Sequence, residues 1–445
     1  MRYTEEVRGI VVAIFVLACV AAGCEGVGEG EGEGGEGEGE GEGEGELADD
    51  QVRFGTAVAD NDFALVVEAA ALPTPPAGVR VYDLGNVAVD DNGVSGSVFV
   101  DVDARVTGVT FVVYGAEHVI LWRAEDGAGV AVVDDTAVAA DTPGFAQVNA
   151  LSSGFPAQFL SPGRVLPARH AGAFLLPSTP DVPLAPGTWS ARFGHFDVDV
   201  DDAGVPVVAP AAGPLRVLAL VRTTPVAPGR LPLAFHFSGA QGLDAAAAQA
   251  SPTFTAALEV MQSSFAAVGV DATDVAYLDI VDGADVATVV LDEPRCDGGD
   301  LDDVVARGVA ERVNVFFVER FECGAFGPFL LGMSPGIPGV PFAAATPRSG
   351  LVVATSFLAS SPADFAIVLA HETAHFMGLY HSQENDRFGD VDVYDNISDT
   401  GEDAFARDNL MFFDISRIDE GLLTPLQGTQ LQTSPWVVPA AGEAP

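Results

Sequence analysis

The eleven residues His371-Glu372-Thr373-Ala374-His375-Phe376-Met377-Gly378-Leu379-Tyr380-His381 hold three of the chain's seven histidines. They constrain the local backbone more tightly than any other stretch. Upstream, Ser361-Pro362-Ala363-Asp364 reads as a helix start: serine suits the cap, proline the first helical position, and Asp364 completes a capping-box-like pattern beside the positive helix end. Phe365, Val368 and Leu369 give the buried side, and the spacing predicts a helix to about Met377. His371 and His375 then stand one turn apart on one face, with Glu372 beside the first. A straight helix would carry His381 away from them. Gly378 can adopt the left-handed conformation that ends a helix, so the chain can turn back and bring the third imidazole to the same ion. Three neutral imidazoles leave one tetrahedral position open, as in a catalytic zinc site, and a closed structural site has no need of the intervening glutamate.

The 445 residues exceed one ordinary core, so two folded domains plus extensions are expected. The formal charge is −44, and arginine supplies all 20 basic groups because lysine is absent. Such a field disfavours nucleic acid and anionic lipid as partners. Solubility and cation tolerance in a salty medium are its plainest consequences. The pairs Asp201-Asp202 and Asp302-Asp303 make Ca2+ a second candidate ion, although no loop shows EF-hand spacing.

Residues 1–24 read as an export signal. Ile10 to Val20 is an apolar run too short to span a bilayer comfortably. Ala21-Ala22-Gly23-Cys24 resembles a bacterial lipobox, which implies diacylation of Cys24. Position 21 is alanine where leucine is usual, and Glu5 and Glu6 offset Arg2 and Arg8. Glu25 to Glu46 is almost pure Gly-Glu alternation, with no apolar residue to bury beyond Val27, and residues 25–48 read as a disordered tether. Its end-to-end distance is on the order of 25 Å before charge repulsion stretches it. The expected location is therefore the cell surface or outer membrane, as an anchored lipoprotein touching the membrane only through Cys24; plain secretion is the alternative. Cys19 is a poorer candidate for diacylation; with Cys19 and Cys24 set aside, Cys296 and Cys323 remain, and in an exported protein two cysteines are expected to pair, worth about 3.5 kcal/mol in the chain-entropy model; two buried thiols is the competing reading.

From Val52 to Pro214 short runs such as Ser95–Val106, Gly108–Tyr114, His118–Trp122 and Ser190–Val200 are punctuated by turns, which predicts an antiparallel β-sandwich over 49–214. His118, His170 and His195 lack ligand spacing there and read as structural. Pro206–Pro214 is a Pro/Ala-rich break, and Leu215–Arg222 suits either side of it. Beyond, Arg230–Phe237, Asp274–Val281, Arg312–Val318 and Gly350–Ser356 read as strands and Ser251–Phe265 as an amphipathic helix. That interleaving predicts an α/β domain over 215–445. His236 reads as a core residue, and the chain after Asn385 as loop. The fold expected overall is multidomain: an N-terminal antiparallel β-sandwich followed by an α/β catalytic domain.

With every fixed position of H-E-x-x-H-x-x-G-x-x-H filled, the stretch from His371 to His381 resembles the zinc signature of the metzincin metallopeptidases. The resemblance implies a zincin-like α/β fold, Zn2+ on His371, His375 and His381, and Glu372 as general base toward a zinc-bound water that hydrolyses peptide bonds. It also implies a methionine turn under the metal. Asn409-Leu410-Met411 looks like that turn, with Met411 as the floor. Phe413 occupies the place where some branches carry a tyrosine ligand. Ser382 is similar to the matrixins, whereas Asp395–Thr400 leading to Asn409-Leu410-Met411 is closer to the pappalysins, with Gly401 where proline is frequent. The substrate implied is a protein or peptide, lying along an edge strand for which Gly350–Val353 is the candidate, and the enzyme is expected to act as a monomer. Two other functions share these residues: a surface binding or adhesion lipoprotein that keeps the fold without turnover, and a non-peptidase zinc hydrolase.

Overall fold

The computed structural model describes residues 75–134, 168–182, 184–200, 206–223, 228–292, 298–324, 327, 330–341, 348–385, 392–395, 397–400, 408–412, 414–415, 418 and 421–440. The signal segment with Cys24, the Gly-Glu tract, Asp201-Asp202, Cys296 and Phe413 lie outside them. Among the described residues no helix is long and apolar enough to cross a membrane.

The first half is built from β1 (Val79–Val87), β2 (Val98–Val102), β3 (Gly108–Glu125), β4 (Ala131–Asp134), β5 (Ala168–Leu176), β6 (Gly187–Val200), β7 (Pro206–Pro210) and β8 (Leu215–Arg222). The expected antiparallel pairing is present, but not as two stacked sheets. One eight-stranded sheet runs β1-β8-β3-β6-β2, with β4 and β5 also on β3 and β7 on β6. The cause is β3. It is 18 residues long, and its first part pairs with β8 while its second pairs with β6, across an irregularity between Tyr114 and His118. Gly108–Tyr114 and His118–Trp122, read as two strands, are one continuous bent strand. The boundary expected at Pro214 also moves, because β8 pairs with both β1 and β3 and so belongs to this sheet.

Period-two alternation gives the sheet two buried faces. Val109, Phe111 and Val113 of β3, Phe174 and Leu176 of β5, and Val217, Ala219 and Val221 of β8 fill its own interior with Trp189 and Phe193. The intervening residues Val112, Tyr114, Ala171, Ala173, Leu218 and Leu220 point the other way, into a core continuous with the second half. The two halves share a hydrophobic core, so they are not two independently filled bodies.

In the second half β9 (Gly229–Arg230), β11 (Val270–Asp271) and β20 (Val438–Pro439) form a small sheet. The main sheet contains β10 (Leu233–Phe237), β12 (Val275–Asp279), β14 (Val313–Val318), β16 (Gly332–Met333) and β17 (Gly350–Ala354), in the order β12-β10-β14-β17-β16. Its first four strands are parallel and β16 is antiparallel. Two pairs complete the strands: β13 (Thr288–Val290) with β15 (Arg320–Glu322), and β18 (Gln383–Asn385) with β19 (Asp392–Tyr394).

The helices are α1 (Ala245–Ala250), α2 (Pro252–Ala267), α3 (Asp300–Val305), α4 (Pro362–Phe376) and α5 (Pro425–Thr433). Phe235, Phe317 and Val353 face α2 and α4, where Phe235 meets Phe317 edge-on at 5.1 Å and Phe254 meets Phe365 at 6.0 Å. The alternate residues Phe316, Val318 and Val352 pack on Leu301 and Val304 of α3. Helix α5 falls in the tail expected to be loop. Its start carries a full capping box, Thr424 Oγ1 accepting from the Gln427 amide while the Gln427 side chain accepts from the Thr424 amide.

Candidate functional site

Helix α4 begins with Pro362 at its first turn and Ser361 at the cap position, as expected, but the Ser361 side chain makes no capping bond. The helix entry is instead held by the backbone, with the Ser361 amide donating to the Phe357 carbonyl and Phe365 to Ser361. At the other end Met377 is the cap, and Gly378 follows with φ of 112°. Its amide donates to the His375 carbonyl and that of Leu379 to Ala374. This conformation is strained for any residue with a Cβ, and an added Cβ would lie 3.1 Å from the Leu175 side chain of β5. The first sheet therefore supports the turn that returns His381.

That turn brings His371, His375 and His381 together, with one ring nitrogen from each lying within 4.8 Å of the others. Among the described residues this is the one group of three metal-ligating side chains close enough to share an ion. His371 Nδ1 donates to the Leu410 carbonyl at 2.6 Å, and His375 Nδ1 to the Leu379 carbonyl at 2.6 Å. Each bond fixes the tautomer and turns Nε2, with its lone pair, into the site. The Nε2 atoms of His371 and His381 are 3.2 Å apart, close to the ~3.3 Å that two nitrogens sharing a tetrahedral zinc would show. Burial, with His381 alongside, holds His371 down to about 3 against the opposing pull of the Leu410 carbonyl, so its ring is neutral near pH 7. The donor set fits a zinc ion.

Glu372 is 1 % exposed, and neither of its carboxylate oxygens makes a regular hydrogen bond. Burial pushes its pKa up to about 8, with the Ser334 backbone acting weakly the other way. A carboxylate left so is a costly feature unless a cation or substrate proton completes it.

The Asn409-Leu410-Met411 segment, expected to form the methionine turn, is bonded directly to the histidine stretch. Met411 is fully buried, and its neighbour Leu410 supplies the carbonyl that orients His371. Several contacts hold the segment: the Met411 amide donates to Asn409 Oδ1 at 2.8 Å, the Ser382 amide donates to the Met411 carbonyl at 2.8 Å, the Leu410 amide donates to the Leu422 carbonyl at 2.7 Å, and the Asn409 and Gln427 amide side chains bond reciprocally. The Asp395–Thr400 segment is tied in from the other side. The Asp395 amide donates to the Ser382 carbonyl, Thr400 Oγ1 donates to Asp395 Oδ1 at 2.5 Å, and Asp181 of the first half accepts from both the amide and hydroxyl of Ser398, at 2.8 and 3.0 Å.

Two features of the site carry no sequence signal in themselves. One is the pair of backbone carbonyls, Leu410 and Leu379, which any residue could supply. The other is Gly332 of β16, where a Cβ would lie 2.5 Å from Glu372 Cγ. The edge strand is consequently β16, and the expected Gly350–Val353 is its inner neighbour β17, paired on both sides. The two-residue β16 resists period counting, whereas the longer apolar run of β17 draws it.

His118, His170, His195 and His236 stay apart from the site, as expected. His195 Nε2 accepts from the Glu117 amide, His170 bonds the Ala116 carbonyl, and His236 bonds Asn314 and stacks on Phe316 at 4.5 Å. Cys323 is disulfide-bonded, so it is not a free thiol. No protein-family model matches the chain, and no curated protein matches it significantly.

Proposed function

We propose that this chain is a zinc-dependent endopeptidase of the metzincin type, exported on a lipid anchor at Cys24 and acting on extracellular proteins. One observation carries the reading: three imidazole nitrogens converge next to a fully buried carboxylate whose charge is opposed only by the Ser334 backbone. A bound zinc ion would polarise the scissile carbonyl and make water acidic near neutral pH. His371, His375 and His381 would hold the ion, and the Leu410 and Leu379 carbonyls keep the first two in the ligating tautomer. Glu372 takes the proton of the attacking water and returns it to the leaving amine. A cation at the histidines would draw its pKa down from the elevated value into the range of a working base. Among the described residues β16 pairs only with β17, and its outer side, next to Glu372, would offer backbone groups to an extended substrate.

The test is Glu372→Ala, with zinc content measured beside digestion of a peptide library. Zinc should stay bound at one per chain while cleavage falls by about 10²–10⁴-fold. Cleavage that survives the substitution would remove the role of Glu372. A zinc-loaded wild type that cleaves nothing would favour a surface binding protein.

A further inference from the structure

A mostly buried segment outside regular secondary structure runs along the candidate site. After β16 the chain Ser334-Pro335-Gly336-Ile337-Pro338-Gly339-Val340 meets the stretch from Glu372 to Tyr380 at successive points. The Ser334 backbone faces the Glu372 carboxylate and supports its charge against burial. The Tyr380 hydroxyl donates to the Ile337 carbonyl at 3.0 Å, and the two side chains pack in a cluster of their own. Pro338 lies beside the turn at Gly378, where an added Cβ would be 3.7 Å from its ring. The Gly339 amide donates to the Phe376 carbonyl at 2.9 Å, and the Phe376 ring leaves no room for a Cβ on Gly339.

Backbone carbonyls buried outside a helix or sheet need donors from elsewhere. Here two side chains supply them. Besides Tyr380, Arg348 reaches the segment from just before β17. Its Nη1 donates to the Pro335 carbonyl at 3.3 Å and its Nε to the Arg169 carbonyl of β5 at 2.9 Å. The Val340 amide in turn donates to the Arg348 carbonyl at 3.1 Å. Arg348 is buried, so one guanidinium ties the segment to the first sheet. Tyr380 stands between Leu379, whose carbonyl orients His375, and His381 of the histidine cluster.

We propose that Tyr380 and Arg348 are positioning residues for the base: together they clamp the 334–340 segment so that the Ser334 backbone stays on Glu372. The proposal rests on the peptidase reading above. A phenylalanine at 380 keeps the packing on Ile337 and removes only the hydroxyl, so the Ile337 carbonyl loses that donor. The segment then loosens, and with it the backbone group facing Glu372.

The experiment compares the zinc-loaded full chain with Tyr380→Phe, Arg348→Lys and the double variant. Three readouts are taken: zinc per chain, kcat and KM on one cleaved peptide, and amide exchange of the 334–340 segment by mass spectrometry. Each single variant should keep its zinc and hold KM within ~3-fold, while kcat falls at least ~10-fold and the segment exchanges at least ~10-fold faster. The double variant should lose little more in kcat than the worse single one, because both bonds hold one segment. Faster exchange with kcat unchanged would reduce the two bonds to stabilising contacts and overturn the proposal. So would unchanged exchange, zinc loss in step with activity, or single losses that multiply in the double variant. No cleavage by the zinc-loaded wild type would remove the peptidase reading and this proposal together.

Discussion

At the scale of single residues, Gly378 decides whether the third histidine arrives. With φ of 112° it holds a conformation that an alanine reaches only at a cost of about 1–3 kcal/mol. The added methyl would also press on Leu175 at 3.1 Å. Gly378→Ala should therefore relax the turn and move His381 off the site, while leaving His371 and His375 on the intact helix. We expect zinc affinity to fall at least ~10-fold, the equivalent of 1.4 kcal/mol, measured by competition with a chelating dye. An unchanged affinity would mean that His381 is placed by the Ser382–Met411 contact alone. This residue and the four other fixed positions of its motif are the part of the site most legible in the sequence, because helix periodicity and one glycine settle where three imidazoles go. The Leu410 and Leu379 carbonyls that aim those imidazoles were not legible. A backbone group has no residue type to read.

At the scale of elements, legibility follows length and periodicity. Helices α2 and α4 and strands β10, β14 and β17 were readable because their apolar runs match a single period. Helix α5 was missed although Thr424-Pro425-Leu426-Gln427 spells its cap, since its own residues are mostly polar and lack an apolar stripe. Strand β16 has only two residues, too few for any pattern, yet it touches Glu372. Strand β10 shows how an element with one period can carry a titration. Phe235 and Phe237 face the helices while His236 faces Phe316, its ring buried and bonded to Asn314. Burial lowers the pKa of His236 below its ordinary 6.5, with Asn314 partly opposing. The unfolded chain therefore binds a proton near pH 6.5 that the native protein refuses. The stability linked to this histidine is whole above pH 6.5 and is lost as pH falls toward the native pKa. His236→Phe keeps the stack on Phe316 and leaves Asn314 Oδ1 still accepting from the Val309 amide at 2.8 Å. Between pH 7.5 and 5, denaturant titration should show a shallower loss of stability in the variant, by up to about 1.4 kcal/mol per pH unit. Parallel curves for the two proteins would show that His236 charges without resistance.

At the scale of the molecule, the pattern of runs separated a stretch of short strands from one in which strands and helices interleave. It could not announce that they share a core. Alternation along a strand separates one face from the other but is silent about what covers the second face, and here Val112, Tyr114, Ala173, Leu218 and Leu220 are covered by the second half. Polar contacts follow the same seam. The Arg222 guanidinium at the end of β8 donates to the Ser434 carbonyl at 2.6 Å and to the Val437 carbonyl, Gln430 donates to the Pro177 carbonyl at 2.9 Å, and Arg348 donates to the Arg169 carbonyl at 2.9 Å. Arg222 is buried with its pKa held down to about 10 by desolvation, so separating the halves would expose apolar surface and break the carbonyl contacts of a charged group together. Both penalties favour one cooperative transition over two. Trp189 lies in the interior of the first sheet and Trp436 in the shared core, which gives each half a fluorescent reporter. With the other tryptophans replaced by phenylalanine in turn, the Trp189 and Trp436 reporters should unfold at the same midpoint in urea. Val217→Ala, a cavity inside the first sheet alone and worth about 1–3 kcal/mol, should lower the Trp436 midpoint as much as that of Trp189. Two separated midpoints, or a Trp436 signal indifferent to Val217→Ala, would mean that the first half folds as an accessory and that the support it gives Gly378 and Ser398 is dispensable.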